Sequence, residues 1–378
     1  MSLFGGTADL ESHEYIVCFQ DEEIFSIDRN EGIVHIFNKN KLPFDIYLEE
    51  SDDFSDRINN IQNFNSWCSE RMLSLDRKYA KEICNCLGIP QPFSDKERAT
   101  IVIALRGLSI NDCFWIKKSG ENISWSQVNL FDNSLKNHVL EVALFGISPT
   151  ITNQSLVSPD ISTAGAAPKA WRRTDSGFEL LKGNVNGSVR REVEASQMLQ
   201  AIGIDVVNYH SGRFKSRLVS VCDCYTSKDV CFARAKYVDI WCMNHDIDFA
   251  DIIYKYKLRF DMMNLADYLV GNSDEHPENW GIIYDNEFNI INISPIMDFD
   301  HAFEAGPQFI CQPAQYLGMQ ISLQDYALSV MDYNCNYLLK VTVIWGFCKI
   351  QIIAFEGTCS IKRGRFYVQN ANQLALAR

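Results

Sequence analysis

The chain has 378 residues, 47% hydrophobic and 22% charged, a composition that fits a globular protein with a large buried core and excludes a disordered or collagen-like one. Its 35 basic and 48 acidic residues leave a formal charge of −13, which argues against a general nucleic-acid or anionic-membrane binder. The 13 cysteines are scattered and odd in number, in a chain too large to need a disulfide scaffold, so a reducing cytoplasm is expected.

The N-terminus lacks the charged start and long apolar stretch of a secretory signal. Residues 13–50 carry the runs EYIVCF, EIFSI, GIVHIF and DIYLEE between Asp, Asn and Gly, which predicts a small antiparallel meander. Residues 52–90 read as helical and end at Gly88-Ile-Pro90. Ser94 with Glu97 three residues on predicts a capping-box start for a helix that runs to about Leu105. Cys113 to Lys117 follows, then a polar stretch to Asn137. A small-residue turn at 162–168 precedes two strand-like runs around Thr174-Asp-Ser-Gly177, and a symmetric hairpin there sets Lys169 across from Lys182. In the helix predicted over Val189–Ile202, Glu192 shares the apolar stripe of Ala195 and Leu199, and a buried carboxylate needs a partner. A strand is expected over Cys231–Val238, then a helical face of Met262, Leu265, Ala266 and Leu269 that stops at Gly271. The spacing of Cys222, Cys224 and Cys231 is not that of a paired zinc site. The most apolar segment, 341–355, is interrupted by Lys349 and Gln351 and falls short of the about 20 residues a membrane helix needs. It reads as strands.

The chemistry concentrates in residues 271–301, GNSDEHPENWGIIYDNEFNIINISPIMDFDH. Two apolar runs, Trp280–Tyr284 and Phe288–Ile293, joined by Asp-Asn-Glu, predict a hairpin whose outer ends meet. That draws Asn279 towards Asp298, with Asp274 five residues before Asn279 on the entering loop. One carboxylate and one amide oxygen beside nucleotide phosphates suit magnesium. The remaining carboxylate, Asp274, then accepts a hydroxyl proton or orients the nucleophile. A base Asp, an Asn five residues later and a metal Asp beyond a hairpin follow the order of kinase catalytic loops. Lys182 and Glu192 stand in the order of the ion pair that holds phosphates in kinases. The competing readings are structural: a solvated turn for NSDEHPEN, a surface strand position for Lys182, and a wet Glu192 paired with Arg190 or Arg191. His276 is read as a loop-stabilising hydrogen-bonder.

On these residues the chain resembles the HipA-like bacterial serine/threonine protein kinases, over roughly 160–325. Ser162-Thr-Ala-Gly-Ala-Ala-Pro-Lys169 resembles the family's phosphate-binding loop, so Thr163, Ala164, Gly165, Ala166 and Lys169 are implied to meet the nucleotide. Phe178–Lys182 resembles the strand of the nucleotide lysine, and Glu192 occupies the partner position on the next helix. Asp274-Glu-His-Pro-Glu-Asn279 resembles the catalytic loop, which implies Asp274 as base, Asn279 as magnesium ligand and His276 among the nucleotide-site residues. Pro295-Ile-Met-Asp298 resembles the metal-binding stretch and implies Asp298 as the second ligand. Asp298-Phe-Asp300 stands where typical protein kinases have Asp-Phe-Gly, and there is no His-Arg-Asp; the family lacks both. The resemblance implies an α+β, two-lobed protein-kinase-like fold with a β-rich N-terminal accessory region. Residues 1–150 form that region, 151–238 the N-lobe with the phosphate loop and 239–378 a mostly helical C-lobe with the catalytic loop. It further implies ATP and Mg2+ as cofactors, a protein substrate, autophosphorylation at Ser162 and an antitoxin-type partner, with no direct nucleic-acid or membrane contact. A lipid or small-molecule kinase of the same fold, or a non-catalytic nucleotide-binding module, is the alternative.

Overall fold

Strands β1 (Glu14–Phe19) and β2 (Glu22–Asp28) are formed by continuous apolar runs, and Val17, Cys18, Phe19, Ile24, Phe25 and Ile27 are all buried. In the computed structural model the described residues are 13–87, 91–92, 94–133, 139–145, 162, 166–175, 177–304 and 321–333, with strand segments at 340–341, 354–355, 358–362 and 365–369. They divide into two interleaved units. One draws on Met1–Gly183, Asp223–Phe249 and Gly281–Asn292, the other on Asn184–Cys222, Ala250–Trp280 and Ile293–Arg378.

In the first unit β1 and β2 pair antiparallel with β3 (Val34–Ile36) and β4 (Phe114–Lys118) in the order β3-β2-β1-β4. Three runs of the expected meander are therefore strands. The fourth, Asp45–Glu50, is irregular, because side-chain amides replace a ladder: Asn60 Nδ2 donates to Glu49 O (2.8 Å), Asn63 Nδ2 to Tyr47 O (2.8 Å) and Asn244 Nδ2 to Ile46 O (2.9 Å). Helix α1 (Phe54–Glu70) starts at Asp53, whose side chain accepts from the Ser55 N–H. Helix α2 (Ala80–Cys86) ends before residues 88–90, which lie outside the described residues. Helix α3 (Asp95–Ala104) begins as predicted, with Ser94 Oγ accepting from the Glu97 N–H at 3.2 Å. Two short helices, α4 (Trp125–Val128) and α5 (Val139–Phe145), lead to the hairpin β5 (Lys169–Thr174) and β6 (Gly177–Gly183).

The rest of that unit is a three-stranded sheet in the order β11-β10-β9, made of β9 (Val230–Arg234), β10 (Gly281–Asp285) and β11 (Ile290–Ile293). The strand expected to reach Val238 stops at Arg234. Helix α7 (Ala235–Asn244) takes over, because Val238, Trp241 and Cys242 are buried at helical spacing. Gly281 is needed where β10 meets β9: a Cβ there would lie 2.0 Å from the carbonyl oxygen of Ala233. An aromatic cluster joins the segments, with Phe44 4.6 Å from Tyr284 and 4.8 Å from Trp241, and Phe19 5.0 Å from Phe288.

The second unit contains α6 (Ser188–Ala201), the hairpin β7 (His210–Phe214) and β8 (Arg217–Asp223), then α8 (Phe249–Lys255), α9 (Lys257–Val270) and α10 (Leu323–Tyr333). Tyr326 of α10 donates to Asp261 of α9, which also takes Lys257 Nζ at 2.7 Å. Towards the C-terminus the described segments are strands, as the sequence suggests: β12 (Lys340–Val341) pairs with β13 (Ala354–Phe355), and β14 (Thr358–Lys362) with β15 (Arg365–Gln369). Among the described residues no helix is long and apolar enough to cross a membrane.

Candidate active site

The loop after α9 is built from one buried acid. Gly271 closes the helix in the left-handed conformation, φ 60°. The Asn272 N–H donates to Asp267 O (3.0 Å), and Asn272 Nδ2 donates to Asp267 Oδ1 (3.0 Å). Beyond this anchor the chain turns outward and Asp274 is exposed. Asn279 then folds back: its Nδ2 donates to Asp274 O at 2.9 Å and its N–H to His276 O at 2.9 Å. With the amide nitrogen so used, Asn279 Oδ1 is the atom left to face a cation. His276 Nδ1 accepts from the Glu278 N–H at 3.2 Å, the loop-stabilising bond read for it from sequence.

Asp298 sits in the left-handed region, φ 67°, between two fixed points. On one side Ile296 bridges Val206 in parallel and accepts from the Val207 N–H (2.9 Å), while Val207 O accepts from Ser196 Oγ of α6 (2.7 Å). On the other, Phe299 is fully buried and Asp300 O accepts from Arg191 Nε of α6 (2.6 Å). The Phe303 N–H donates to Val270 O at the end of α9 (2.8 Å), tying this turn to the helix that leads into the 271–279 loop.

Negative charge gathers here. Burial pushes the Glu275 carboxyl well above its ordinary range, and the charges of Asp267, Asp298 and Asp274 push it further. Burial raises Asp267 to about 7 against the Asn272 hydrogen bond, and Asp267 Oδ2 has no hydrogen-bond partner among the described residues. Carboxylates that oppose one another's ionisation make a site where a cation is favoured. A carboxylate and an amide oxygen, the donors expected from the sequence at Asp298 and Asn279, are of the hard kind magnesium takes. Among the described residues no three of His, Cys, Asp or Glu converge to hold a metal.

Glu192 is 1% exposed and accepts a hydrogen bond from Ser220 Oγ. The wet alternative is therefore corrected: Arg190 pairs with Glu194 (2.7 Å), and Arg191 reaches Glu304 (3.0 Å).

In the first unit Lys169 and Lys182 are in register across β5–β6, as the hairpin predicts, and both are buried, which excludes the surface reading of Lys182. The turn just before α2 reaches this hairpin: the Lys78 N–H donates to Ala166 O (2.9 Å), and buried Arg77 donates to Lys169 O. Ser162 is buried on the wall of a cavity of about 60 Å³, shared with Asp45, Arg71, Asp112, Arg234 and Tyr237. Arg71 there is bidentate on Asp112, at 2.9 and 2.8 Å. Thr163, Ala164 and Gly165 lie outside the described residues.

The sequence reading missed Asp267, Arg77 and the place of Arg191. Asp267 carried a signal, since it falls on the stripe of Phe260, Met263 and Val270 just as Glu192 falls on that of Ala195 and Leu199.

Mixed helices and antiparallel sheets in this arrangement define a kinase-like fold. The chain is similar to HipA of the Shewanella oneidensis MR-1 toxin–antitoxin system, solved in complex with HipB and its operator DNA. Identity is 12% over 84% of each chain, with a TM-score of 0.50, so the fold is HipA-like. The Helicobacter pylori proinflammatory kinase CtkA matches at 20% identity and a TM-score of 0.31 over 35% of this chain, which spans 55% of that kinase's length. No protein-family model and no curated protein matches the chain. The exclusion of nucleic acid drawn from net charge is not borne out: the HipA relative is found together with HipB and operator DNA. A negative total says little about a complex in which a second protein is present.

Proposed function

We propose that the chain is an ATP- and magnesium-dependent phosphotransferase that acts on a serine or threonine hydroxyl of a protein. The observation that carries this is the loop in which Asn279 Nδ2 is bonded to Asp274 O, leaving the Asp274 carboxylate exposed and the Asn279 oxygen available to a cation. Magnesium, when bound, neutralises charge on the transferring phosphoryl group. Asn279 and Asp298 would hold it. Asp274 takes the proton of the acceptor hydroxyl as that oxygen bonds to the γ-phosphorus, and ADP leaves with the electron pair of the broken bond. Lys169 and Lys182, two buried cations side by side, meet the phosphates. The nucleotide lobe is 151–238 and the catalytic lobe 239–378.

Ser162 is the internal acceptor in this reading. Since it is buried, it leaves the cavity wall before it is modified, and the phosphate it gains keeps the loop out. The protein is cytoplasmic and takes an antitoxin-type partner.

Incubation of wild type and Asp274→Asn with ATP and magnesium, followed by phosphopeptide mass spectrometry and nucleotide titration, tests the reading. Phosphate on wild type alone, with both proteins binding nucleotide, supports it. Transfer to a phosphoinositide or aminoglycoside but to no protein moves the acceptor to the lipid and small-molecule class. Binding without transfer in either protein makes the chain a nucleotide-binding module. Growth arrest by wild type but not Asp298→Ala supports the toxin role.

A further inference from the structure

Arg191, the residue before Glu192 on α6, makes bonds that the phosphotransfer reading does not use. Its Nε donates to Asp300 O at 2.6 Å, and its Nη1 donates to Asn186 O at 2.7 Å. The same Nη1 lies 3.0 Å from Glu304 Oε1, and the other Glu304 oxygen lies 2.9 Å from His301 Nδ1. One guanidinium therefore gathers the turn that starts α6, the residue two beyond Asp298, and the end of the turn that Asp298 opens.

Two of its three acceptors are backbone carbonyls, so the contribution is geometric before it is ionic. A planar fork of fixed donors reaches several acceptors at once, which a lysine ammonium at the end of a flexible stem does not. The Arg191–Glu304 pair is partly exposed, 18% and 40%, and such pairs add little by themselves. What needs holding is Asp298, whose backbone is in a conformation that L-residues with a Cβ rarely adopt. Ile296 is fixed before it by Val207, and Asp300 after it by Arg191.

We infer that Arg191 is a positioning residue for Asp298: it clamps the 298–304 turn to α6 and so holds the metal-binding carboxylate in its left-handed conformation. The inference rests on the phosphotransfer reading.

The test is manganese binding to the full chain, followed by electron paramagnetic resonance with a non-hydrolysable ATP analogue, in wild type, Arg191→Ala, Arg191→Lys and Glu304→Gln. Nucleotide binding without metal and thermal unfolding are measured alongside. Loss of an outer support of a metal ligand typically weakens metal binding about 10–100-fold. Arg191→Ala is expected at about tenfold or more, with metal-free nucleotide binding unchanged. Arg191→Lys keeps the charge and the Glu304 pair, so it folds where the alanine variant does not, and it also binds manganese more weakly. Glu304→Gln stays close to wild type. Wild type binding manganese with the nucleotide, and Arg191→Lys binding it equally well, overturns the inference alone. A wild type that binds no manganese with the nucleotide overturns the phosphotransfer reading and the inference with it.

Discussion

Lys169 and Lys182 stand directly opposite each other across the β5–β6 hairpin, and they are only 8% and 6% exposed. Two buried ammonium groups on one side of a hairpin are suited to meet a polyphosphate. Lys182→Met or Lys169→Met is expected to lower nucleotide affinity about tenfold, the loss of one charge-assisted bond. Calorimetric titration with thermal melts checks this. A lower melting temperature with unchanged affinity would assign both lysines to the scaffold.

Asp274 is exposed at the tip of a loop whose backbone is fixed from Asn272 and Asn279. Asp274→Asn is expected to leave nucleotide binding intact and slow transfer by about 10²–10⁴, the usual contribution of a positioned proton acceptor. Single-turnover phosphorylation measures it. Undiminished transfer would remove the role.

Asp298 separates shape from charge. Asparagine tolerates the left-handed region, whereas alanine pays roughly 1 kcal/mol or more there. Asp298→Asn and Asp298→Ala are both expected to abolish metal-dependent nucleotide binding. Only the alanine variant melts earlier. Equal melting temperatures would mean the turn is not under strain.

Asp45 gives a pH dependence away from the 271–279 loop. Burial, with the charge of Asp112 added and those of Arg71 and Arg234 opposing, raises its carboxyl to about 6. An unfolded aspartate titrates near ~3.9. The folded chain therefore holds this proton more tightly, and the stability it contributes below about pH 4 is lost as pH rises towards 6. Asp45→Asn is expected to flatten stability across that window in urea denaturation at a series of pH values. An unchanged slope would assign the pH dependence to another group.

Much of the local structure around the candidate residues was legible because its elements are set over short stretches. The β5–β6 register follows from a short symmetric turn, and the Ser94 cap and Gly271 stop are set by single residues. What the sequence hid was long-range. Asp45–Glu50 has a strand-like composition, but Asn60, Asn63 and Asn244 occupy its backbone groups. Cys231–Val238 looked like one strand because its first half is one, and the change to helical spacing begins only at Ala235. Arg191 looked like a candidate partner for its neighbour Glu192. Its actual acceptors lie up to 113 positions further on, at Glu304.

The interleaving of the units constrains how the chain is made. The unit begun at the N-terminus takes its last segment from Gly281–Asn292, and its aromatic cluster is incomplete until Tyr284 and Phe288 join Phe44 and Phe19. Domains usually fold in the order they leave the ribosome. Here nearly three hundred residues must emerge before the first unit closes, so a nascent chain exposes unfinished apolar surface through most of its synthesis.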